Sequence, residues 1–159
     1  MKSSLKVNAN INVVVGALID MYINCNSLED ARMLCNRLST YDVVKWSAMI
    51  SGYVQLGSAQ EALGLYQQMM QEHIIPNGIS CVCSLKACSH LAALCEGTSI
   101  HGQIIEEGLE LEKLICNSLV DMYGKYGNLR DASKVFSDMN DRDTVLWNAL
   151  ISGFSLQSD

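Results

Sequence analysis

Apolar residues recur every three to four positions along most of the chain, which is the spacing of one face of an α-helix. Two such stripes consist of Leu18, Ile19, Tyr22 and Ile23, and of Met49, Ile50, Tyr53 and Val54. A single proline, Pro76, interrupts the chain, and proline-free stretches of this length favour helices. No alternation of apolar and polar residues competes with the pattern, which therefore predicts a series of amphipathic helices.

Short polar turns separate the predicted helices. Asn26 and Gly57 each follow a stripe, and both residue types accept the left-handed backbone that ends many helices. Capping boxes at Ser27–Asp30 and Ser58–Glu61 are expected to begin the next helix. The chain therefore divides into pairs of helices, each pair joined by a tight turn.

Part of the sequence occurs twice. LIDMYINCNSLEDA, beginning at Leu18, returns 101 residues later as LVDMYGKYGNLRDA, beginning at Leu119. Similarity at a fixed offset, without a flexible spacer, is typical of stacked repeats. Aligning the copies gives an N-terminal tail at 1–11, repeats at 12–42, 43–77, 78–112 and 113–143, and a half repeat at 144–159.

Composition limits the functions that this array can serve. The 159 residues are 49% hydrophobic, enough for a sizeable core, but the net charge is −6. Nucleic-acid-binding domains usually carry a basic surface, so we expect weak attraction to phosphate. The seven cysteines form no CxxC pair, which predicts reduced, buried thiols and no zinc ribbon.

Neither a membrane span nor a targeting segment is expected. No apolar run approaches the eighteen or so residues needed to cross a bilayer. The beginning of the chain, MKSSLKVNANINVVVG, lacks the arginine-rich pattern of an organelle transit peptide, although it permits a weak signal-like alternative.

The repeats carry motifs of a known family. They are DMY and LEDAR in repeat 1, VVKWSAMISGYVQLGSAQEALGLYQQM and IIPN in repeat 2, LKACSHLAALCEG and IHGQII in repeat 3, NSLVDMYGKYGNLRDASKVFSDM in repeat 4, and VLWNALISGF in the half repeat. This series resembles pentatricopeptide repeats (PPR), in the plant array that alternates short, standard and long variants. It resembles a short or truncated member without the C-terminal extension and deaminase domains. The resemblance covers residues 12–159 and implies an all-α fold, a right-handed α-solenoid of stacked helix-turn-helix repeats.

The resemblance also implies a function. Family members bind single-stranded RNA at about one base per repeat and support organellar RNA processing or C-to-U editing. We accordingly expect a non-catalytic protein of the mitochondrion or chloroplast, or of the cytoplasm if the chain is full length. Its expected partners are organellar RNA and other RNA-editing or PPR proteins. We expect no cofactor, no metal, no membrane and no small-molecule substrate.

Three positions in each repeat contact the base in this family. The second residue is an aliphatic clamp against the face of the base, and the fifth and last residues choose the base. The clamp positions here are Val13, Val44, Ile79, Leu114 and Val145. All are aliphatic, which suits stacking, but a buried residue at the start of each first helix remains an alternative.

Two of the base-choosing pairs match the family's pattern. Ser47 with Asn77 is similar to pairs that read adenine. Asn117 with Asp143 is similar to pairs that favour uracil over cytosine. Short polar side chains of this kind can reach a base edge and distinguish donors from acceptors.

The other pairs specify less. Val82 with Glu112 has an apolar first member, as is usual in the long variant. Gly16 with Asp42 departs from the pattern, because repeat 1 lacks the residue usually found between the glycine and the alanine. Asn148 fits the first position of a pair whose second member lies beyond the sequence. The expected register is therefore adenine, an unread base, then uracil.

Residues that suggest catalysis have simpler explanations. His73, His90 and His101 lack the HxE and PCxxC partners of a zinc deaminase, and we interpret them as surface or interhelical residues. Trp46 and Trp147 occupy equivalent positions, which favours packing between repeats over stacking on RNA.

Two alternatives to RNA binding stay open. One is a protein-interaction scaffold similar to tetratricopeptide adaptors, and the other is a truncated product with little independent function. The charge around the first helices separates RNA binding from the scaffold. The residues that decide it are Lys45, Lys86, Lys113 and Lys125, against Asp20, Asp42, Asp121 and Asp143.

Overall fold

A computed structural model describes residues 2–37, 43–140 and 142–156, with the backbone alone for residues 2–12 and 36. Within these ranges all regular structure is α-helical, so the predicted all-α class is confirmed. The helices are α1 (Lys2–Asn24), α2 (Leu28–Arg37), α3 (Val43–Gln55), α4 (Ala59–Gln71), α5 (Gly78–Leu91), α6 (Leu94–Glu106), α7 (Lys113–Lys125), α8 (Leu129–Asp138) and α9 (Thr144–Leu156).

The helix limits follow the repeats. α3, α5, α7 and α9 each begin at the first residue of a predicted repeat or half repeat. α1 differs, because it begins at Lys2 and includes residues that were expected to form a tail. No helix in the described ranges is both long enough and apolar enough to cross a membrane.

The turns within the helix pairs have a common geometry. Asn26, Gly57 and Gly127 have φ values of 59°, 77° and 70°. In each turn the following N–H donates to a carbonyl five residues back, as from Ser58 N to Tyr53 O at 2.8 Å. This is the Schellman motif, and the expected left-handed positions at Asn26 and Gly57 are confirmed.

Capping of the second helices was predicted less well. Ser58 precedes α4 but makes no side-chain cap hydrogen bond, so the box expected with Glu61 is wrong. A different second helix, α8, does have a side-chain cap: Asn128 Oδ1 accepts from the Asp131 N–H at 3.3 Å. The box at Ser27–Asp30 stays a prediction.

The chain forms two compact bodies. The N-terminal body, Met1–Ser80, contains α1 to α4 and the first turn of α5. Within it α3 packs against α1 and α4. Its most buried side chains include Ile19, Ile50 and Met69, each without measurable exposure, so the apolar stripes predicted from the sequence form its core.

The C-terminal body, Cys81–Asp159, contains the rest of α5 and α6 to α9. Here α7 is central and packs against α6, α8 and α9. Ile104, Leu119 and Met122 are fully buried. Each body therefore places a first helix between its own second helix and a neighbouring first helix.

Candidate nucleic-acid interface

An exposed aliphatic side chain occupies the second position of every repeat. The exposed fractions are 72% for Val13, 41% for Val44, 59% for Ile79, 71% for Leu114 and 57% for Val145. The next residue in the last two cases, Ile115 or Leu146, is buried. The alternative in which the five are core residues is therefore excluded, and each leaves an apolar surface in reach of a ligand.

Ser47 lies beside Asn77 but is itself hidden. Its exposed fraction is 3%. The Ser47 hydroxyl lies 2.7 Å from the Val43 carbonyl oxygen and 2.8 Å from Asn77 Oδ1, and it donates its one hydrogen to either. The structure thus brings the expected pair together, but the expectation that Ser47 presents its hydroxyl on an open surface is not met.

Asn77 is held by the first turn of the following helix. Its Oδ1 accepts from the Ser80 N–H at 2.9 Å, and its own N–H donates to Ser80 Oγ at 3.0 Å. Asn77 is therefore the N-cap of α5. Its Nδ2 makes no hydrogen bond to any described residue and is not among the buried unpartnered atoms. Sequence reasoning missed this role, although asparagine directly before a helix is a recognisable N-cap residue.

Asp143 has the same position at the start of α9. Its Oδ1 accepts from the Leu146 N–H at 2.9 Å, and its Oδ2 lies 3.4 Å from Lys113 Nζ. The hydrogen bond from Leu146, helped by Lys113, holds the pKa of the Asp143 carboxyl below its ordinary value. Asp143 is therefore an ionised cap with its second oxygen turned toward a lysine.

Asn117 carries an unused acceptor. The residue is half-buried, and its Oδ1 is buried with no hydrogen-bond partner among the described residues. A buried carbonyl oxygen without a donor costs free energy, typically about 1–3 kcal/mol. Because this oxygen has under 1 Å² of exposed surface, a ligand N–H reaches it only if the Asn117 side chain rotates.

The remaining predicted base-selecting residues are less organised. Val82 is half-buried, and Glu112 is exposed and makes no side-chain cap hydrogen bond to α7. Asn148 is exposed on α9, and Gly16 lies on α1 with no neighbour within 4 Å of a Cβ built there. Asp42, the expected partner of Gly16, lies outside the described residues.

The lysines provide little free positive charge. Lys113 pairs with Asp143, and Lys125 Nζ lies 2.7 Å from Asp121 Oδ2. Lys86 is exposed and Lys45 is half-buried. Two of the four lysines expected to attract phosphate are thus already paired with acids.

His101 and the two tryptophans contact neighbouring helices or lie in the core. His101 Nδ1 lies 2.8 Å from the Tyr123 hydroxyl, between α6 and α7, as an interhelical histidine would. Trp46 is buried, whereas Trp147 is 48% exposed and packs edge-on against Phe136 at 4.5 Å between ring centroids.

The cysteines are free thiols. Cys35, Cys81, Cys88 and Cys116 are buried, whereas Cys25 and Cys95 are exposed. Burial raises the pKa of the Cys88 thiol to about 12, so it stays protonated at neutral pH. Among the described residues there is no group of three or more His, Cys, Asp or Glu side chains that could hold a metal ion.

Known proteins share the repeats of this chain. The family model described as PPR repeat matches residues 44–74 and 114–143, which fall within repeats 2 and 4. A pentatricopeptide repeat-containing protein of Arabidopsis thaliana is 37% identical over 152 residues, covering 95% of this chain and 20% of that protein. A mitochondrial one is 36% identical over 140 residues, covering 88% of this chain and 25% of that protein.

A solved structure is also similar. The crystal structure of the pentatricopeptide repeat protein PPR10 from maize has a TM-score of 0.41 and 18% identity, covering 93% of this chain and 27% of that one. The chain spans only about a fifth to a quarter of the two Arabidopsis relatives. On the matched repeats and these relatives, residues 44–74 and 114–143 are PPR repeats, and the chain is similar to pentatricopeptide repeat-containing proteins of plants.

Proposed function

We propose that the chain binds single-stranded RNA at about one base per repeat, without catalysis, in support of organellar RNA processing or C-to-U editing. The observation that carries the proposal is the series of exposed aliphatic side chains at the second position of every repeat. Apolar surface left in water is unfavourable by roughly 25 cal/mol per Å². A base stacked on each side chain would remove that cost.

Repeat 4 offers acceptors to its base once the Asn117 side chain rotates to expose its Oδ1. Asn117 Oδ1 has no donor among the described residues, and Asp143 is an ionised carboxylate. Uracil carries an N3–H that donates to such an oxygen, whereas cytosine has a lone pair at N3. Two facing acceptors repel each other, so this chemistry supports uracil over cytosine at repeat 4.

Repeat 2 offers a donor. Asn77 Oδ1 is occupied by the Ser80 N–H, so the amide group Nδ2 remains for the base. Adenine has an acceptor at N1 and cytosine at N3, while guanine and uracil carry N–H groups there. The donor therefore favours adenine and cytosine over guanine and uracil, and the choice of adenine comes from family resemblance.

Affinity should be low for this chain alone. Stacking or readout contributes about 1–3 kcal/mol per base, and a micromolar complex requires about 8 kcal/mol net. With two base-choosing repeats, paired lysines and a net charge of −6, the favourable binding free energy exceeds the cost of association by little. We therefore infer that this chain acts together with other RNA-editing or PPR proteins. Its proposed location is the mitochondrion, which the names of some relatives include, or the chloroplast.

A protein-interaction scaffold is the second candidate, and the ion pairs favour it. Lys113 and Lys125 are each neutralised by an acid, which weakens the case for phosphate binding. A scaffold would bind no RNA oligonucleotide selectively, and its affinity for RNA would come from phosphate contacts alone.

The test is binding to short single-stranded RNAs that contain A, any base, then U, against RNAs in which only the A or the U is changed. Measurements at two salt concentrations separate base readout from phosphate attraction, since only the latter depends steeply on salt. We expect at least about a threefold preference at each base, from one hydrogen bond. Equal affinity for all the RNAs, or Asn117→Ala leaving the uracil preference unchanged, would overturn the proposal.

A further inference from the structure

The last residues of repeats 2 and 4 are also the N-caps of the first helices that follow them. Asn77 Oδ1 accepts from the Ser80 N–H, and Asp143 Oδ1 accepts from the Leu146 N–H, each at 2.9 Å. In both repeats the cap uses one polar atom; the second atom is unpaired within the described residues on Asn77, whereas on Asp143 it lies 3.4 Å from Lys113 Nζ. The remaining atom is a donor, Nδ2, on Asn77 and an acceptor, Oδ2, on Asp143.

Another cap in the same chain shows what removes the second atom. Asn128 caps α8 through its Oδ1, and its Nδ2 also donates to Asp131 Oδ2 at 2.7 Å. The third helical residue is acidic there, so both polar atoms of the asparagine are engaged. At Asn77 the corresponding residue is Ser80, whose hydroxyl binds the Asn77 backbone and leaves Nδ2 alone.

Glu112 is the exception among the three last residues that the structure describes. Its backbone has φ −69° and ψ 122°, the extended conformation of an N-cap, yet its side chain makes no cap hydrogen bond and is exposed. The glutamate side chain has one methylene more than aspartate, and glutamate is not among the favoured N-cap residues. Repeat 3 therefore has a last residue whose polar atoms are not oriented.

We propose that the helix cap determines base choice in this chain: the N–H groups of Ser80 and Leu146 are positioning groups that fix which polar atom of Asn77 and Asp143 meets the base. The inference rests on the proposed RNA binding and adds two residues to it. It also gives repeat 3 a physical reason for reading no base.

The backbone N–H is decisive because it can only donate. Rotating the Asn77 amide by 180° would place the Nδ2 donor against the Ser80 N–H donor and lose the cap. The Ser47 hydroxyl does not decide the orientation, because it can donate to Oδ1 or accept from Nδ2. Ser47 is buried and contacts Asn77, so its influence on the base passes through Asn77.

The experiment creates a cap where none exists. Glu112→Asn shortens the side chain at a position whose backbone already has N-cap geometry, and Glu112→Gln is the matched control with the same amide at the original length. Two quantities are measured in the whole chain: hydrogen-exchange protection of the Ile115 amide without RNA, and affinity for RNAs that differ only at the base between A and U. Glu112→Asn should raise protection and favour adenine or cytosine there by about three- to tenfold, the value of one hydrogen bond, whereas Glu112→Gln should do neither.

The outcomes separate this inference from the function it rests on. Higher Ile115 protection without a base preference would overturn the inference, and so would an equal preference in Glu112→Gln. If neither Glu112→Asn nor Glu112→Asp gains Ile115 protection and a base preference at repeat 3, the helix cap does not determine base choice. The original chain's preferences at the outer A and U, measured alongside, test the proposed function itself.

Discussion

Gly124 and Gly153 bring α7 and α9 into backbone contact: a Cβ built on Gly153 would lie 2.7 Å from the Gly124 Cα. Backbone atoms cannot rotate away as a flexible side chain can, so any side chain at this position forces the helices apart. We therefore expect Gly153→Ala to lower the free energy of unfolding by about 1–3 kcal/mol, measured by urea denaturation.

The matched control is Gly64→Ala in α4, where a Cβ would have no neighbour within 4 Å. Alanine is favoured over glycine inside a helix, so this variant should gain about 0.5–1 kcal/mol. Equal effects of the two substitutions would contradict the packing argument.

Leu114→Ala tests the clamp. Leu114 is 71% exposed, so its removal should change the free energy of unfolding by no more than about 0.5 kcal/mol. It should weaken RNA binding about fivefold, from the lower end of the stacking range. Leu111→Ala is the control, because Leu111 is 64% exposed but lies outside the helix. A similar loss of affinity in both variants would point to a general apolar effect.

Asn77→Asp tests the sign of the remaining polar atom. Aspartate caps a helix about as well as asparagine, so the melting temperature should hold. The exposed donor becomes an acceptor, and the preference at the first base should move from adenine to bases with an N–H, guanine and uracil. The uracil preference at repeat 4 should persist in the same protein, and its loss would indicate damage beyond residue 77.

His101 gives the C-terminal body a pH dependence. Burial lowers the pKa of His101 below its ordinary value of 6.5, with Lys134 acting in the same direction and Asp131 opposing. The unfolded state therefore binds a proton more readily, and stability that is complete above about pH 6.5 declines as the pH falls toward the folded pKa. Unfolding measured between about pH 7.5 and 5.5 should show this decline.

The substitution His101→Gln should remove that part of the decline, whereas His90→Gln, at an exposed residue, should leave it intact. If the original chain and His101→Gln lose stability in parallel over this range, the histidine is not the group responsible.

Periodicity predicted the helices well because it reports burial, which is a property of each helix face. Ile19 and Ile50 stand in the predicted stripes and are fully buried. The left-handed turns at Asn26 and Gly57 followed from local backbone chemistry. Ser58 failed as a cap because a serine before a helix can cap it but need not, and the choice depends on local side-chain rotation.

The candidate site was predicted only in part. The expected contact of Ser47 with Asn77 is present, but the sequence did not indicate that Ser47 is hidden or that Asn77 is held by Ser80. These facts depend on contacts between α3 and the start of α5, thirty residues apart along the chain. The ion pair of Lys113 with Asp143 spans the same distance. Pair chemistry can be assigned from residue type, whereas orientation requires the packed helices.

The dual use of Asn77 and Asp143 has an evolutionary consequence. Since asparagine and aspartate cap helices about equally well, exchanging one for the other would, under the proposed base readout, change which nucleotide is accepted while the folded state keeps its hydrogen bond. A change in the nucleotide that a repeat accepts then has almost no effect on the stability of the protein. One nucleotide change in the asparagine or aspartate codon is enough to produce it. A lineage can thus follow a drifting target sequence without compensating mutations in the scaffold.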